Sequence, residues 1–329
     1  MVAMTTARSH LVDPASPGFY HCISRCVRRA WLCGVDTYSG QSFEHRRGWV
    51  EERLHELADI FAVGLYAYAV MSNHVHVVLR IDPIAAQQWS DEEVATRWVS
   101  LFPASTDGTI DPERCRLKEQ ALLGNPERLS TCRTRLGNLA WFMRSLNEPI
   151  ARRANREDAC TGRFWEGRYR CQALLDEAAV LACMSYVDLN PIRAGMAEDL
   201  IHSTRTGAQN RIQSIQAEAG HADQPLRSIN ASAPAHALSL TTSAYLELID
   251  WTARLVRPGK HGTIQSSTPP ILVKLGLREA HWKSQVLGIE SRYWRAIGSA
   301  QALIDKASAI GQCWLKGLGS ARGVLGSAS

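Results

Sequence analysis

The feature that most constrains this chain is a pair of β-rich runs, Ala62–Met71 and His74–Ile81, separated only by Ser72 and Asn73. Two turn-favouring residues between two such runs suit a tight hairpin, so the runs lie side by side as antiparallel strands. Upstream, Phe19–Cys26 reads as another strand. Ser42–Phe61 reads as a helix, because Trp49, Leu54, Leu57 and Phe61 are spaced for one apolar face. Downstream, Leu136, Leu139, Met143, Leu146 and Ile150 recur at three and four, which predicts an amphipathic helix over Cys132–Arg156 with Arg on its other face. Pro149 falls inside that pattern and removes a backbone donor, so a kink or an end is expected near Glu148. Arg163–Leu175 reads as a fourth strand, followed by Asp176 as N-cap of a helix over Glu177–Leu189 that Pro191 closes. Strand, helix, strand, strand, helix, strand, helix is the order of an α+β fold, a small antiparallel sheet with helices packed on one face.

The remaining segments lack that clarity. Residues 82–130 turn acidic and lose periodicity apart from a helix at Asp91–Phe102, so they read as an insertion. Residues 201–243 are dominated by Ser, Ala, Gln, Thr and His and read as a linker. Beyond it, Ala244–Val256 and Ile271–Leu318 show helical spacing, which predicts a basic helical C-terminal region over 244–329. At 329 residues the chain can bury a core without staples, and its length suggests two folded units, one of them residues 1–200.

Composition excludes several classes. With 45% hydrophobic and 21% charged residues, the chain is neither collagenous nor wholly disordered. Its longest apolar run, Ile60–Met71, is too short for about 30 Å of hydrocarbon. The N-terminus has no apolar stretch of signal-peptide type, so a cytoplasmic protein with no membrane partner is expected. Nine cysteines without a CxxC pair argue against a disulfide framework. His21, Cys22, Cys26 and Cys33 could be read as a loose zinc cluster, but the tight ligand spacing is missing and buried thiols are the plainer reading. The net charge of +5 is uneven, with Arg concentrated between residues 131 and 173. Clustered cations of this kind suit phosphate binding.

Three groups of residues carry candidate chemistry. His74 and His76 are two apart on a predicted strand, so both imidazoles project from one face, where they could hold one metal ion. Two unconnected histidines are the plain alternative. Tyr186 and Asn190 stand four apart at a helix end and co-present a hydroxyl and an amide. A packing tyrosine and an asparagine cap before Pro191 would look the same. Arg163, Arg168 and Arg170 interleave with Phe164, Trp165 and Tyr169, offering cations and stacking surfaces for nucleic acid. Solvated arginines over buried aromatics are the alternative, and Arg193 is equally ambiguous. In the tail, Trp282, Arg292, Tyr293, Trp294 and Arg295 could touch nucleic acid, although Trp at helical spacing is more often core.

Four ordered motifs, YHCISR at 20–25, MSNHVHVVLR at 71–80, FWEGRYRCQ at 164–172 and SYVDLNPIRAGM at 185–196, give the chain a resemblance. Over residues 19–200 it resembles the single-tyrosine HUH transposases, and in particular the REP-associated tyrosine transposases. The resemblance implies a ferredoxin-like nuclease core in which His74, His76 and Asn190 bind Mg²⁺ or Mn²⁺ and Tyr186 is the nucleophile. It implies single-stranded, hairpin-containing DNA as partner, and a protein acting as monomer or homodimer. The implied reaction stores the phosphodiester bond in a 5′-phosphotyrosine, needs no ATP, and agrees with the lack of a GxxxxGK[ST] motif. Two other classes compete: a hairpin-binding or regulatory protein of this fold without catalysis, and a metal-dependent hydrolase. The second lacks any HExxH or HxxxDH continuation.

Overall fold

The computed structural model describes residues 11–27, 31–36, 38–256, 268–291 and 295–322. The expected hairpin is its centre: β2 (Val63–Val70) and β3 (His74–Ile81) pair antiparallel, and the turn closes with Met71 N–H donating to the carbonyl of His74 at 2.8 Å. β1 (Gly18–Arg25) pairs antiparallel with β3 on its other edge, placing Arg25 opposite His74 and Ile23 opposite His76. β6 (Arg170–Leu174) pairs antiparallel with β1, and β9 (Ala296–Ile297) adds a fifth, parallel strand beside β6. The sheet order is β2-β3-β1-β6-β9. It is therefore a mixed sheet, not the purely antiparallel one expected, because the C-terminal region contributes a strand to it.

Helices cover both faces of this sheet, which corrects the expectation of one. On one face Cys22, Val63, Leu65, Tyr68, Val75 and Val77 join a core with α1 (Arg46–Ile60) and α6 (Leu139–Glu157). On the other, Ala67, Ala69, Met71 and Val78 pack on α7 (Glu177–Asp188). Behind α7 stand α10 (Thr242–Val256) and α12 (Glu279–Gly288). All eight residues of β2 are buried, and an uninterrupted apolar strand is the signature of a sheet covered on both sides. α7 is buried at every position from Ala179 to Asp188, which places it in the interior of the protein.

The insertion is more ordered than its composition suggests. It holds α2 (Pro83–Gln88), α3 (Asp91–Leu101), the short hairpin strands β4 (Ser105–Thr106) and β5 (Thr109–Ile110), α4 (Pro112–Leu123) and α5 (Pro126–Leu136). Three of these helices begin with an Asp or Asn cap followed by proline, at Asp82, Asp111 and Asn125, each cap accepting from a backbone N–H of the first turn. The single helix expected over 132–156 is two helices, because Asn138 caps a new start at α6. Pro149 does not end α6, which runs on to Glu157. The carbonyl of Ser145 that it leaves without a donor accepts instead from Arg53 Nε at 3.2 Å.

Residues 201–243 are not a linker. They form α9 (Gly207–Ala217), a 3-10 turn and a hairpin of β7 (Pro225–Arg227) and β8 (Ala237–Thr241). This segment closes the open edge of β2. Arg211 donates to the carbonyl of Tyr66, the extra residue of a bulge, at 2.7 Å. Ile229 N–H donates to Leu65, and the Asn230 amide donates to the carbonyls of Ala58 and Val63 while accepting from Leu65 N–H. An edge strand needs its polar groups satisfied, and polar side chains in this segment supply the partners. The remaining elements are α8 (Asn190–Arg193), α11 (Pro270–Lys274), α13 (Ala300–Ala309) and α14 (Leu318–Arg322). Among the described residues, no helix is long and apolar enough to cross a membrane.

Candidate active site

β3 starts at His74, and its pleat turns His74 and His76 to the face that α7 covers, away from Val75 and Val77. The ring centroids of the two histidines are 4.7 Å apart. α7 brings Tyr186 to the same place, its ring centroid 5.8 Å from that of His76. The chain continues from α7 through Leu189 into α8, so Asn190 follows Tyr186 by about one turn. Its amide Nδ2 lies 2.9 Å from His76 Nε2. Arg193, exposed at the end of α8, sets its guanidinium carbon 4.7 Å from the centroid of the Tyr186 ring. The two histidines, the tyrosine, the asparagine and Arg193, separated widely in sequence, thus meet.

Burial governs their charge. It pushes the His74 imidazole down to about 4, with the Arg25 guanidinium adding to the effect, and pushes fully buried His76 well below its usual range. Both rings are neutral at neutral pH and carry a free electron pair on one nitrogen. For His74, Nδ1 donates to Asn73 Oδ1 at 2.6 Å, which leaves Nε2 as the electron-pair donor. The Tyr186 hydroxyl is pushed up by burial first and by the nearby Glu290 carboxylate second, while Arg193 opposes them.

Two neutral imidazoles and an amide that can present its oxygen, with a carboxylate nearby, are a mixed nitrogen and oxygen donor set of the kind that can hold a divalent cation. Among the described residues no three His, Cys, Asp or Glu side chains form a ligand cluster. The convergence depends on Asn190. The loose zinc cluster suggested by His21 and the early cysteines is not formed: Cys22 and Cys26 point into the core opposite His21, and no ligand cluster gathers there among the described residues.

Two of the residues expected to bind DNA are placed elsewhere. Tyr169 is buried in the core, and Trp165 packs against it with its indole N–H donating to the carbonyl of Asn147 at 2.8 Å. Phe164 and Tyr169 are buried and Trp165 is partly buried, while Arg163, Arg168 and Arg170 are exposed. The fourth strand is correspondingly short, five residues at β6, with only an isolated bridge between Cys26 and Trp165 before it. Trp282 is fully buried and donates to Thr252 Oγ1 at 2.8 Å, a core role; Arg292, Tyr293 and Trp294 lie outside the described residues.

Three residues at the site, Glu290, Arg25 and Gln172, were not singled out from sequence, and a fourth, His21, was read only within a loose zinc cluster. Glu290, in the turn after α12, has its Oε1 3.6 Å from His76 Nε2. Arg25 stands opposite His74 across the β1–β3 ladder. His21 and Gln172 lie behind His76, with His21 Nε2 2.9 Å from His76 Nδ1. His21, Arg25 and Gln172 fall within the quoted motifs, whereas nothing local marks Glu290.

Comparison with models of protein families finds no match, and comparison with curated proteins finds none. Among solved structures, the chain is similar to a REP-associated tyrosine transposase bound to a REP hairpin. The identity is 10% and the TM-score 0.33, over 72% of this chain and 97% of that one.

Proposed function

We propose that this chain is a divalent-cation-dependent enzyme that cleaves and rejoins single-stranded DNA at or near hairpins, with Tyr186 as nucleophile. The observation that carries this reading is the convergence of Tyr186 and Asn190 on His76. The order of elements supports it: β1, α1, β2, β3, α6 and β6, with neighbours β2-β3-β1-β6, is compatible with the ferredoxin-like core that the resemblance implies. The sequence motifs that carry the resemblance supply His21, His74, His76, Gln172, Tyr186, Asn190 and Arg193 around this one point. Residues 1–200 are the proposed catalytic core, to which Glu290 is added from outside.

His74, His76 and Asn190 would hold Mg²⁺ or Mn²⁺, which supplies Lewis-acid stabilisation of charge on the scissile phosphate. The chain's own residues do the rest. The Tyr186 oxygen attacks phosphorus, the bond to the 3′ oxygen breaks, and the proton lost by the phenol is matched by one gained at the 3′ hydroxyl. Tyrosine ordinarily titrates near 10 and is raised here, so at neutral pH the phenol still carries its proton when DNA arrives. Arg193 sets a cation over the nucleophile's ring, where a phosphate arriving at Tyr186 would meet it. Burial around Tyr186 limits water, which favours transfer between DNA ends over hydrolysis. Exposed Arg163, Arg168 and Arg170 offer a cationic surface to the DNA backbone.

The test is covalent capture. Wild-type protein with Mg²⁺ or Mn²⁺ should retain the labelled 5′-phosphate end of a single-stranded hairpin flank on a denaturing gel, and Tyr186→Phe should retain none. Undiminished capture by Tyr186→Phe removes the assignment. Hairpin binding without capture under any metal condition supports a non-catalytic DNA-binding protein, and hydrolysis indifferent to Tyr186→Phe supports a water nucleophile.

A further inference from the structure

A buried series of hydrogen bonds runs from the C-terminal region to His76. Gln172 Nε2 lies 2.9 Å from the carbonyl of Ile289. A carbonyl only accepts, so the amide orientation is set, and Gln172 turns Oε1 toward His21 Nδ1 at 2.7 Å. That oxygen also only accepts, so His21 carries its proton on Nδ1 and offers Nε2 as an electron pair. His76 Nδ1, 2.9 Å from His21 Nε2, must then be the donor. His21 and His76 are fully buried, Gln172 is 1% exposed, and the imidazole planes lie within 14° of each other. One proton on each imidazole satisfies every bond of the series, and the direction of donation passes unbroken along it.

We propose that His21 and Gln172, oriented by the carbonyl of Ile289, are positioning residues that lock His76 in the Nδ1–H tautomer and so keep an electron pair on Nε2 facing Asn190. The value of the lock for cation binding rests on the proposed function, but the tautomer is a property of the metal-free protein. Asn190 Nδ2, a donor 2.9 Å from His76 Nε2, agrees with an unprotonated Nε2. Without the lock, the ring would divide between two tautomers, and the wrong one points a proton at the cation's place. Partners behind a ligating histidine commonly change metal affinity by about 10- to 100-fold. The lock also gives the C-terminal region a direct hold on the site, through one backbone oxygen.

The test uses the full chain labelled with ¹⁵N-histidine, stripped of metal by a chelator, and read by long-range ¹H–¹⁵N correlation. In the wild type, His76 should show a protonated Nδ1 and an unprotonated Nε2. His21→Phe removes the acceptor and Gln172→Leu frees His21 to reverse its direction. Both should populate the Nε2–H form of His76, and Mn²⁺ should bind them about 10- to 100-fold more weakly. A wild-type spectrum with His76 protonated on Nε2 overturns the proposal, and needs no variant to fold. So does an unchanged tautomer with unchanged Mn²⁺ affinity in both variants. A fixed tautomer in a wild-type protein that binds no Mn²⁺ leaves the lock standing and removes the metal reading instead.

Discussion

Asn190 Nδ2 lies 2.9 Å from His76 Nε2 although 114 residues separate them in the chain. The contact joins the start of the turn after α7 to the third residue of β3, and it is where an amide oxygen could exchange for an amide N–H when a cation arrives. Asn190→Ala should therefore weaken Mn²⁺ binding at least about tenfold, equivalent to roughly 1.4 kcal/mol. Asn190→Asp, which keeps an oxygen donor, should bind at least as tightly as wild type. Calorimetric titration of the two variants checks both, and equal affinity of wild type and Asn190→Ala would remove Asn190 from the ligand set.

Glu290 faces the same imidazole at 3.6 Å and raises the Tyr186 hydroxyl, while burial raises it more. Removing the carboxylate's charge lowers the phenol back toward its ordinary range. For Glu290→Gln, the alkaline rise in the rate of DNA capture should move to lower pH. A pH–rate profile reads this directly; a profile that stays put or moves upward contradicts it.

His21 and His74 each titrate near 4 in the folded protein against an ordinary 6.5, and burial is the first cause for both. The unfolded chain binds protons that the folded one refuses. Their contribution to stability is complete above about 6.5 and is lost as pH falls through about 4. In metal-free protein, the urea midpoint should decline across that window, and more gently in His21→Phe than in wild type. Parallel slopes would show that His21 charges as easily in the fold as outside it.

Arg53 and Pro149 form a second testable pair. Arg53 Nε donates to the Ser145 carbonyl that Pro149 leaves unpaired, and Ser145 is buried. Arg53→Ala should destabilise by about 1–3 kcal/mol. In a Pro149→Ala background, where residue 149 regains its N–H, the same change should cost about 1 kcal/mol less. A double-mutant cycle by denaturant unfolding measures the difference, and strict additivity would mean that water serves the carbonyl equally well.

Gly207 reports on the segment read as a linker. A Cβ there would come within 3.0 Å of Ala67 Cα and 3.2 Å of Asp188 Oδ1, and the buried backbone of β2 cannot easily retreat. Gly207→Ala should destabilise by about 1–3 kcal/mol, an overpacking cost that a solvated linker would not show. Thermal unfolding of the variant decides between them.

Much of the core was legible because its signals are local. A two-residue turn between two β-rich runs leaves few alternatives, and the β2–β3 hairpin follows from it. Asp176 caps α7 as its spacing suggests, accepting from Ala179 N–H. What misled was composition. Residues 201–243 are poor in large apolar groups, yet the side chains of Arg211 and Asn230 and the N–H of Ile229 hydrogen-bond to the backbone of β2, an interaction that hydropathy does not register. The Asp-Pro and Asn-Pro starts of α2, α4 and α5 were readable helix signals within a segment dismissed as irregular.

Taken by itself, the amino-acid order determined which side chains share a face: His74 with His76 by the two-residue period of a strand, Tyr186 with Asn190 by one helical turn. It determined nothing about which faces meet. Only the tertiary structure set the end of α7 against the start of β3, packed Trp165 and Tyr169 on the core, and brought Glu290 to the His76 imidazole and Ile289 to Gln172 behind it, each across more than a hundred residues. The physical reason is that periodicity is imposed by the backbone over a few residues, whereas the meeting of faces is decided by burying apolar surface and pairing polar groups over the whole chain at once.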